Sequence, residues 1–425
     1  MNQDSDSKST KTIPQGLFAL FHSSRNGIFL QHNGSENPSF DWMAGFGMEK
    51  EFIGGEQKDL FEELQPFLRA DKNIFGHFSY DLKNATEALS SKHFSGMEFP
   101  AAYFFIPELI AVKTKEHFHI ESADKLLLEK FHSNEPIKIH NSSSAELILQ
   151  ERTTKDNYLS NVNALLAHIH RGDIYEINYC IEFYAEHVSI DPPAVYRKLN
   201  ELCEAPFSVL YKYDQQWLMC ASPERFLKKT GAKLISQPIK GTRPRGKNAV
   251  EDEFLKKELL NDPKERSENV MIVDLVRNDL SRSAKKGTVK VEELFGIHSF
   301  KNVHQMISTV TAELDEAVHP VQAIKHAFPM GSMTGAPKIR AMQLTEEFEN
   351  MKRGLYSGAV GYFTPQMDFD FNVVIRSIQY NAKTGYLSLM VGSAITANSD
   401  PEKEYAECLV KAKTLFQSLG VKTME

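Results

Sequence analysis

The 425-residue sequence contains only four cysteines, which are far apart along the chain: Cys180, Cys203, Cys220 and Cys408. No two of them form a C-x-x-C pair, so the sequence indicates neither a disulfide framework nor a thiolate metal site. Single cysteines of this kind are typical of packing residues in a reducing compartment. None stands in a context typical of a nucleophile, which argues against a glutaminase activity within this chain.

Long hydrophobic runs are also missing. No window approaches the roughly 18 consecutive apolar residues of a membrane-spanning helix. The first 12 residues are polar and rich in serine, without the apolar core of a signal peptide. We therefore expect a soluble, cytoplasmic protein that does not bind membranes and whose residues 1–12 are disordered.

Charge of one sign is not in large excess, since 49 Lys and Arg residues stand against 56 Asp and Glu residues, for a formal net charge of -7. A mildly acidic chain offers no basic surface for nucleic acid. The length suits one large domain or two moderate ones, and 41% of the residues are hydrophobic, as in an ordinary globular protein.

The first region, residues 13–145, contains many short apolar runs separated by Gly, Asn and Pro. Runs such as 16–21 and 101–106 predict strands. The more charged segments 59–68 and 124–130 predict short helices.

A polar Asn-Ser-Ser-Ser segment at 141–144 predicts the boundary to a second region, the catalytic domain at residues 150–425. Apolar residues at helical spacing from Tyr158 onwards predict a long amphipathic helix that ends at Gly172. Strong helices then alternate with strand-like stretches at 207–211, 217–221, 359–363 and 387–391. This mixture predicts an α+β fold rather than a regular βαβ alternation.

The lysine of Pro-Ile-Lys-Gly-Thr at 238–242 lies between an apolar step and a turn, just after a strand-like stretch. Its amine can therefore point into a site. Burial disfavours the ammonium form, and a neutral amine is a nucleophile for electrophilic carbon. The alternative is a solvated lysine at the end of a strand.

Two predicted helices begin in the same way, with Asp as N-cap and Pro at the first helical position. Each then carries two glutamates three residues apart, Glu265 and Glu268 in the first and Glu404 and Glu407 in the second. This spacing places each pair on one helix face. Carboxylates of this kind suit Mg²⁺, and we expect two direct ligands and two supporting residues. The alternative is an ordinary acidic first turn or a capping box.

A Gly-rich loop at 328–340 leads into another predicted helix. It does not match the G-x-x-x-x-G-K-[ST] pattern of a phosphate-binding loop, because its glycines are four apart and Lys338 follows a proline. We expect no nucleotide site. Exposed backbone N–H groups at a helix start nevertheless suit a carboxylate.

Taken in order, these segments resemble the chorismate-utilising enzymes, a family that includes anthranilate, aminodeoxychorismate, isochorismate and salicylate synthases. The resemblance covers about 158–419 and, more weakly, Gly-His-Phe-Ser-Tyr-Asp at 76–81. The further matching segments are Gly-Asp-Ile-Tyr-Glu-Ile-Asn at 172–178, Ser-Pro-Glu-Arg-Phe at 222–226, 238–242, 268–280, 331–340, Ile-Arg at 375–376 and 400–413. The resemblance implies a two-lobed antiparallel β-sandwich with helices packed outside.

The residue after Pro-Ile separates the branches of this family, being alanine in anthranilate synthases and lysine in aminodeoxychorismate synthases. The resemblance implies that Lys240 attacks C2 of chorismate while the C4 hydroxyl leaves, and that Glu224 is the acid that protonates the hydroxyl. Ammonia would then add at C4 and expel the lysine. An acid is needed because hydroxide is a poor leaving group. For Glu224 the alternative is a salt bridge to Arg225 or another cation.

The resemblance also implies how chorismate is held. Mg²⁺ would bridge the ring carboxylate to Glu268 and Glu407, supported by Glu265 and Glu404. The other implied contacts are Arg376, Tyr362 and the backbone around Gly392 for the enolpyruvyl carboxylate, Gly241 and Thr242 for the ring carboxylate, and His304 near that carboxylate and the ring. A guanidinium fork suits a carboxylate. A satisfied core histidine is the alternative for His304.

Three features depart from the family pattern. Glu176 stands where the amine-forming branches have glutamine and the isochorismate-forming ones have a water-activating lysine, which argues against attack by water. Gly-Ser-Ala-Ile at 392–395 keeps only the first glycine of the usual Gly-Ala-Gly-Ile, so we expect Ala394 to tighten that wall. The element associated with tryptophan feedback is not evident, and we predict no such regulation.

The resulting interpretation is the amine-forming component of an aminodeoxychorismate synthase, which serves p-aminobenzoate and folate synthesis. The alternatives are the corresponding component of an anthranilate synthase and a chorismate-binding subunit without catalysis. We expect ammonia to come from solution or from a separate glutamine amidotransferase subunit in a heterodimer.

Overall fold

The structure is a computed structural model. It describes residues 13–33, 39–69, 71–133 and 147–421. The predicted disordered segment 1–12 and the predicted boundary at 141–144 lie outside the described residues, so the division into two regions stays a prediction.

Within the described residues the helices are α1 (Gln15–Ser23), α2 (Leu60–Phe67), α3 (Lys83–Thr86), α4 (Lys125–His132), α5 (Lys155–Arg171), α6 (Pro192–Cys203), α7 (Ala249–Asn261), α8 (Pro263–Ser281), α9 (Pro320–Ala327), α10 (Lys338–Phe348) and α11 (Pro401–Leu419). The strands are β1 (Asn26–Gln31), β2 (Trp42–Phe46), β3 (Lys50–Gly54), β4 (Ile74–Phe78), β5 (Ala102–Ile106), β6 (Leu109–Lys113), β7 (Phe118–Ser122), β8 (Gln150–Glu151), β9 (Glu176–Ala185), β10 (Phe207–Tyr213), β11 (Gln216–Ser222), β12 (Arg225–Thr230), β13 (Lys233–Gln237), β14 (Ile239–Pro244), β15 (Lys290–Ser299), β16 (Val303–Glu313), β17 (Gly335–Ala336), β18 (Ala359–Phe363), β19 (Phe369–Asn372), β20 (Ser377–Asn381) and β21 (Tyr386–Thr396).

The strands form two large sheets whose neighbouring strands run antiparallel. The first sheet has the order β17-β9-β21-β20-β11-β10-β1-β2-β6-β7, with β8 beside β9. The second has the order β14-β16-β13-β12-β19-β18-β4-β5-β3, with β15 beside β16. Each sheet therefore combines strands from both predicted regions, for example β1 with β10 and β4 with β18.

One apolar cluster lies between the two sheets, with Ile28 and Val209 from the first sheet and Phe75 and Val360 from the second. Two further clusters lie on the outer faces, where helices cover the strands. In the first sheet, the residues of β9 and β21 pack with those of α5 and α11; in the second, those of β19 pack with α8 and α9. The predicted antiparallel β-sandwich with helices outside is therefore confirmed.

Several elements match the sequence-based predictions. The helices α2 and α4 and the strands β10, β11, β18 and β21 are present as expected. The long helix α5 ends at Gly172, whose φ of 87° is the left-handed conformation that glycine adopts without strain. No described helix is long and apolar enough to span a membrane.

The strand predicted at 16–21 is wrong, because these residues form helix α1. The buried residues Leu17, Phe18, Leu20 and Phe21 occupy one helical face, a spacing that a run of six apolar residues does not distinguish from a strand. A Cβ on Gly16 would lie 2.3 Å from the Phe131 carbonyl oxygen on α4, so the two helices pack closely. Contact with α4 therefore favours the helix.

Candidate active site

Lys240 lies on β14, in the second sheet, at an irregular step of its pairing with β16. The adjacent Gly241 has a φ of +90°. Such bulges redirect a side chain, and here Lys240 is only 9% exposed. The alternative of a solvated lysine at the end of a strand is therefore wrong.

The Lys240 ammonium donates to Glu176 Oε1 over 2.5 Å. Glu176 is 1% exposed and begins β9, in the first sheet, where its backbone is paired on both sides by β17 and β21. The bond thus links the two sheets across the sandwich.

Burial alone would lower the pKa of Lys240, but the carboxylates of Glu176 and Glu268 outweigh burial and raise it above its ordinary value. The expectation that burial leaves Lys240 uncharged is therefore wrong. The physical reason is the neighbouring Glu176, which stabilises the ammonium form.

Glu224 lies where the chain passes from β11 in the first sheet to β12 in the second. It is 4% exposed, and burial raises its pKa to about 7, against smaller lowering effects of the Ser332 hydroxyl and Lys240. The salt bridge considered for Glu224 is not formed with Arg225, which pairs with Asp370 at 2.9 Å. Glu224 therefore has the properties of an acid that holds its proton near neutral pH.

The first turns of α8 and α11 meet beside Lys240. Both helices have the expected cap, since Asp262 and Asp400 accept backbone N–H groups of their first turns. Lys264 Nζ lies 3.3 Å from Glu404 Oε1 and 3.7 Å from Glu268 Oε1. One glutamate of each predicted pair, Glu268 and Glu404, therefore lies beside the same ammonium.

The four glutamates differ in their surroundings. Glu268 and Glu404 are 6% and 3% exposed, and burial raises the pKa of Glu268 to about 7. Glu265 lies 3.3 Å from Arg243, and Glu407 lies 2.7 Å from Lys411. Burial favours the neutral form of Glu407, but Lys411 outweighs burial and lowers the pKa of this carboxyl.

The donor set fits a small divalent cation. Within the described residues, Oε1 of Glu268 and Oε2 of Glu404 are buried without a hydrogen-bond partner. Buried carboxylate oxygens without a partner are costly, and a cation would satisfy them. Among the described residues, no group of three or more His, Cys, Asp or Glu side chains is arranged to hold a metal ion. A site for Mg²⁺ needs only one or two protein carboxylates when substrate and water complete the octahedron.

Arg376 lies at another crossing between the sheets, between β19 and β20, with a φ of +52°. Its guanidinium donates to the Lys411 carbonyl oxygen at 3.3 Å, and the Lys411 ammonium donates to the Gly392 carbonyl oxygen at 2.8 Å. A Cβ on Gly392 would lie 2.7 Å from Cys180 Sγ, so this strand admits only glycine without movement. Lys411 thus contacts both Arg376 and Gly392, and a shared role of these two residues in binding a carboxylate stays a prediction.

Tyr362 is not brought to this group. Its ring packs against Phe40 and Phe75, 5.7 and 6.5 Å away between centroids, in the interior between the sheets. The tyrosine near Arg376 is Tyr356, which is 3% exposed. The sequence-based choice failed because both tyrosines lie near β18 and the spacing alone does not show which faces Arg376.

The remaining predicted residues lie on β14 and β16. A Cβ on Gly241 would lie 3.1 Å from Glu265 Oε2, which places this turn against α8. Thr242 is exposed. His304 is fully buried, and its ring nitrogens contact Ser299 at 2.9 Å and Asp252 at 2.9 Å. The alternative of a satisfied core histidine therefore describes His304.

The Gly-rich loop contributes a short 3-10 helix, Gly331–Met333, and a wall of the cavity beside Glu224, where Ser332 lies. Lys338 donates to Asp279 at 2.7 Å. The Lys338 ammonium is therefore paired with a carboxylate of α8. All four cysteines are free, as the sequence predicted.

Sequence reasoning missed Lys264, Lys411 and Tyr356. Lys411 lies four residues after Glu407 on the same helix, and this spacing predicts that their side chains pair. Lys264 stands within the first turn of α8, where its contact with α11 depends on the tertiary arrangement.

A family model for chorismate binding enzymes matches residues 28–417. An aminodeoxychorismate synthase of Streptomyces griseus is 43% identical over 270 residues, which make up 63% of this chain and 37% of that protein. An anthranilate synthase component I-like protein of Synechocystis is 35% identical over 350 residues, 81% of this chain and 72% of that protein. The match thus spans little more than a third of the first relative.

The fold is also that of solved structures. The crystal structure of anthranilate synthase component I from Streptococcus pneumoniae superposes with a TM-score of 0.77 and covers 91% of this chain and 92% of that one. At 24% sequence identity this likeness concerns the fold alone.

Proposed function

Because this chain belongs to the family of chorismate-binding enzymes, we propose that it is the first component of an aminodeoxychorismate synthase. It would convert chorismate and ammonia to 4-amino-4-deoxychorismate, the precursor of p-aminobenzoate in folate synthesis. The observation that carries this proposal is a buried lysine, Lys240, which lies between the carboxylates of Glu176 and Glu268 and interacts with the buried acid Glu224.

The reaction proceeds in two substitutions. The Lys240 amine forms a bond to C2 of chorismate, the two ring double bonds shift, and the C4–O bond breaks. Glu224 gives its proton to the departing hydroxide, which leaves as water. Ammonia then bonds to C4, the double bonds shift back, and the C2–N bond breaks with its electron pair on Lys240. Glu224 recovers its proton from the new C4 ammonium group.

The carboxylates of α8 and α11 would hold Mg²⁺, with Glu268 and Glu407 as direct ligands and Glu265 and Glu404 in support. When bound, this ion supplies positive charge that fixes the ring carboxylate and neutralises the carboxylate cluster. Arg376, with the Gly392 backbone beside it, would bind the enolpyruvyl carboxylate as a guanidinium fork. The contacts among Arg376, Lys411 and Gly392 support this role.

Ammonia would come from a glutamine amidotransferase subunit. The name of the Synechocystis relative refers to one component of an enzyme, which supports a partner for this chain. Burial raises the pKa of the Cys180 and Cys408 thiols, that of Cys408 to about 11. Since the thiolate is the nucleophile, a raised pKa argues that neither cysteine is a glutaminase nucleophile.

The test is product analysis with the purified chain, chorismate, Mg²⁺ and an ammonium salt. We expect a product that keeps the enolpyruvyl group and gives p-aminobenzoate only after a lyase is added. The variant Lys240→Ala should lose this product.

The rival function is anthranilate synthase component I, which the name of the Synechocystis relative favours. In that case fluorescent anthranilate and pyruvate accumulate together without a lyase, and Lys240 is a bystander. Chorismate binding without turnover at any ammonium concentration would instead identify a non-catalytic subunit.

A further inference from the structure

Glu176 and Lys240 form a buried pair that spans the two sheets. The carboxylate accepts the ammonium at 2.5 Å, and the two side chains are 1% and 10% exposed. Backbone pairing of Glu176 on both sides, by Ala336 and Thr396, fixes the position of this carboxylate. The pair is therefore a preorganised contact rather than a mobile surface ion pair.

Nucleophilic attack requires Lys240 to lose a proton. The Glu176 carboxylate, which accepts from the Lys240 ammonium at 2.5 Å, favours the ammonium form. An acceptor must therefore lie within hydrogen-bond reach of Nζ, and Glu176 Oε1 occupies that position.

The second oxygen of Glu176, Oε2, is buried and has no hydrogen-bond partner within the described part of the chain. The carboxyl group can thus take a proton without breaking any contact other than the one to Lys240. A glutamine at this position has no such capacity, because an amide is not a base near neutral pH.

We propose that Glu176 is a catalytic base of this site, which takes the ammonium proton of Lys240 as the amine attacks chorismate and returns it when the amine is expelled. This inference rests on the proposed function, because it presupposes that Lys240 is the nucleophile.

The protons balance over the cycle. The Lys240 ammonium gives one proton to the Glu176 carboxylate, and the amine bonds to C2 as a secondary ammonium that keeps its two other hydrogens. When ammonia has bonded to C4, the C2–N bond breaks and leaves the neutral Lys240 amine. Glu176 then returns its proton and restores the initial ammonium–carboxylate pair.

The experiment compares Glu176→Gln with the wild-type chain in chorismate and Mg²⁺ without ammonia. Rapid quenching and intact-protein mass spectrometry follow the covalent adduct. Its formation adds the mass of chorismate less one water to the mass of the protein. We expect the adduct to form about 100-fold more slowly in the variant. Chorismate affinity, measured by calorimetry, should change by less than about threefold, because the replacement is nearly isosteric.

Glu182→Gln is the matched control, since Glu182 is also buried on β9 but contacts Arg152, Tyr386 and Ser388 instead of Lys240. Its adduct should form at the wild-type rate. An adduct that forms in Glu176→Gln within about threefold of the wild-type rate would overturn the proposal and make Glu176 an ordinary ion-pair partner.

If Glu176→Gln does not bind chorismate, Glu176→Asp decides. The aspartate keeps a base, so adduct formation at a rate between wild type and zero supports the proposal, and a complete loss with retained chorismate binding contradicts it. Lys240→Ala separates this inference from the proposed function. If that variant still forms 4-amino-4-deoxychorismate, covalent catalysis itself fails, whatever Glu176 does.

Discussion

Lys264 Nζ lies 3.3 Å from Glu404 Oε1 and so connects the first turns of two helices whose residues are 140 positions apart in the chain. The same ammonium lies 3.7 Å from Glu268 Oε1. Lys264 neutralises part of the charge of these two carboxylates, which are among those that we propose to surround Mg²⁺. The lysine and the metal ion would therefore compete for Glu268 Oε1, and the Lys264 charge would also oppose a cation beside Glu404.

Replacing Lys264 by methionine should strengthen Mg²⁺ binding. The apolar stem is kept, and the positive charge that opposes the cation is removed. We expect a gain of up to about tenfold in affinity, or about 1.4 kcal/mol. Titration calorimetry with MgCl₂ measures this without turnover. The control is Lys155→Met, because Lys155 pairs with the exposed Glu402 on the same helix α11. Unchanged or weaker Mg²⁺ binding by Lys264→Met would contradict the competition.

Glu224 should make the stability of the protein depend on pH. Burial raises its pKa from an ordinary 4.5 to about 7. The folded state then holds a proton that the unfolded chain releases, so the stabilisation is complete below about pH 4.5 and is lost as the pH rises through about 7. Above about pH 7, the free energy of unfolding has therefore lost about 3 kcal/mol of the stabilisation that Glu224 gives below about pH 4.5.

The variant Glu224→Gln cannot lose this proton. Urea unfolding at about pH 5 and about pH 8.5 should show that the variant gains stability relative to wild type only at the higher pH. Its turnover should fall by about 100-fold or more, because an amide does not protonate the leaving hydroxide. Glu253→Gln, which alters a 57% exposed carboxylate, is the control. A constant stability difference at the two pH values would show that Glu224 is already ionised in the folded state.

Caps and periodicity are local signals, and they predict the α+β class and the two Asp-Pro helices, whereas the β-sandwich is predicted only through the resemblance to chorismate-utilising enzymes. The sequence predicts the strand at 16–21 wrongly, since only contact with α4 favours a helix there. The proton on Lys240 was also not predictable, because it depends on Glu176 from the other sheet. Tyr356 and Tyr362 show the same limit: they are six residues apart, and only the tertiary structure distinguishes the one near Arg376.

Arg353 and Glu349 form a fully buried ion pair. We expect the protein to lose stability when one of the two charges is removed, but much less when both are removed. Arg353 donates to both carboxylate oxygens, at 2.6 and 2.9 Å, and both side chains are 1% exposed. Arg353→Met leaves a buried, uncompensated carboxylate and should destabilise the protein by about 3–5 kcal/mol. Urea unfolding measures the loss.

The double variant Arg353→Met with Glu349→Leu removes both charges and should recover most of that stability. Arg353 also donates to the carbonyl oxygens of Met333 and Asn178, at 2.7 and 2.8 Å. If the double variant is as unstable as the single one, the loss comes from these unpaired carbonyl groups and not from the carboxylate.

The last prediction concerns which tyrosine serves the anionic substrate. Tyr356 lies near Arg376, whereas Tyr362 packs against Phe40 and Phe75. Tyr356→Phe removes a buried hydroxyl from the surroundings of the guanidinium, and we expect KM for chorismate to rise about fivefold, or roughly 1 kcal/mol. Tyr362→Phe, the matched control, should leave KM unchanged. The opposite outcome in steady-state kinetics would return Tyr362 to the substrate pocket and remove Tyr356 from it.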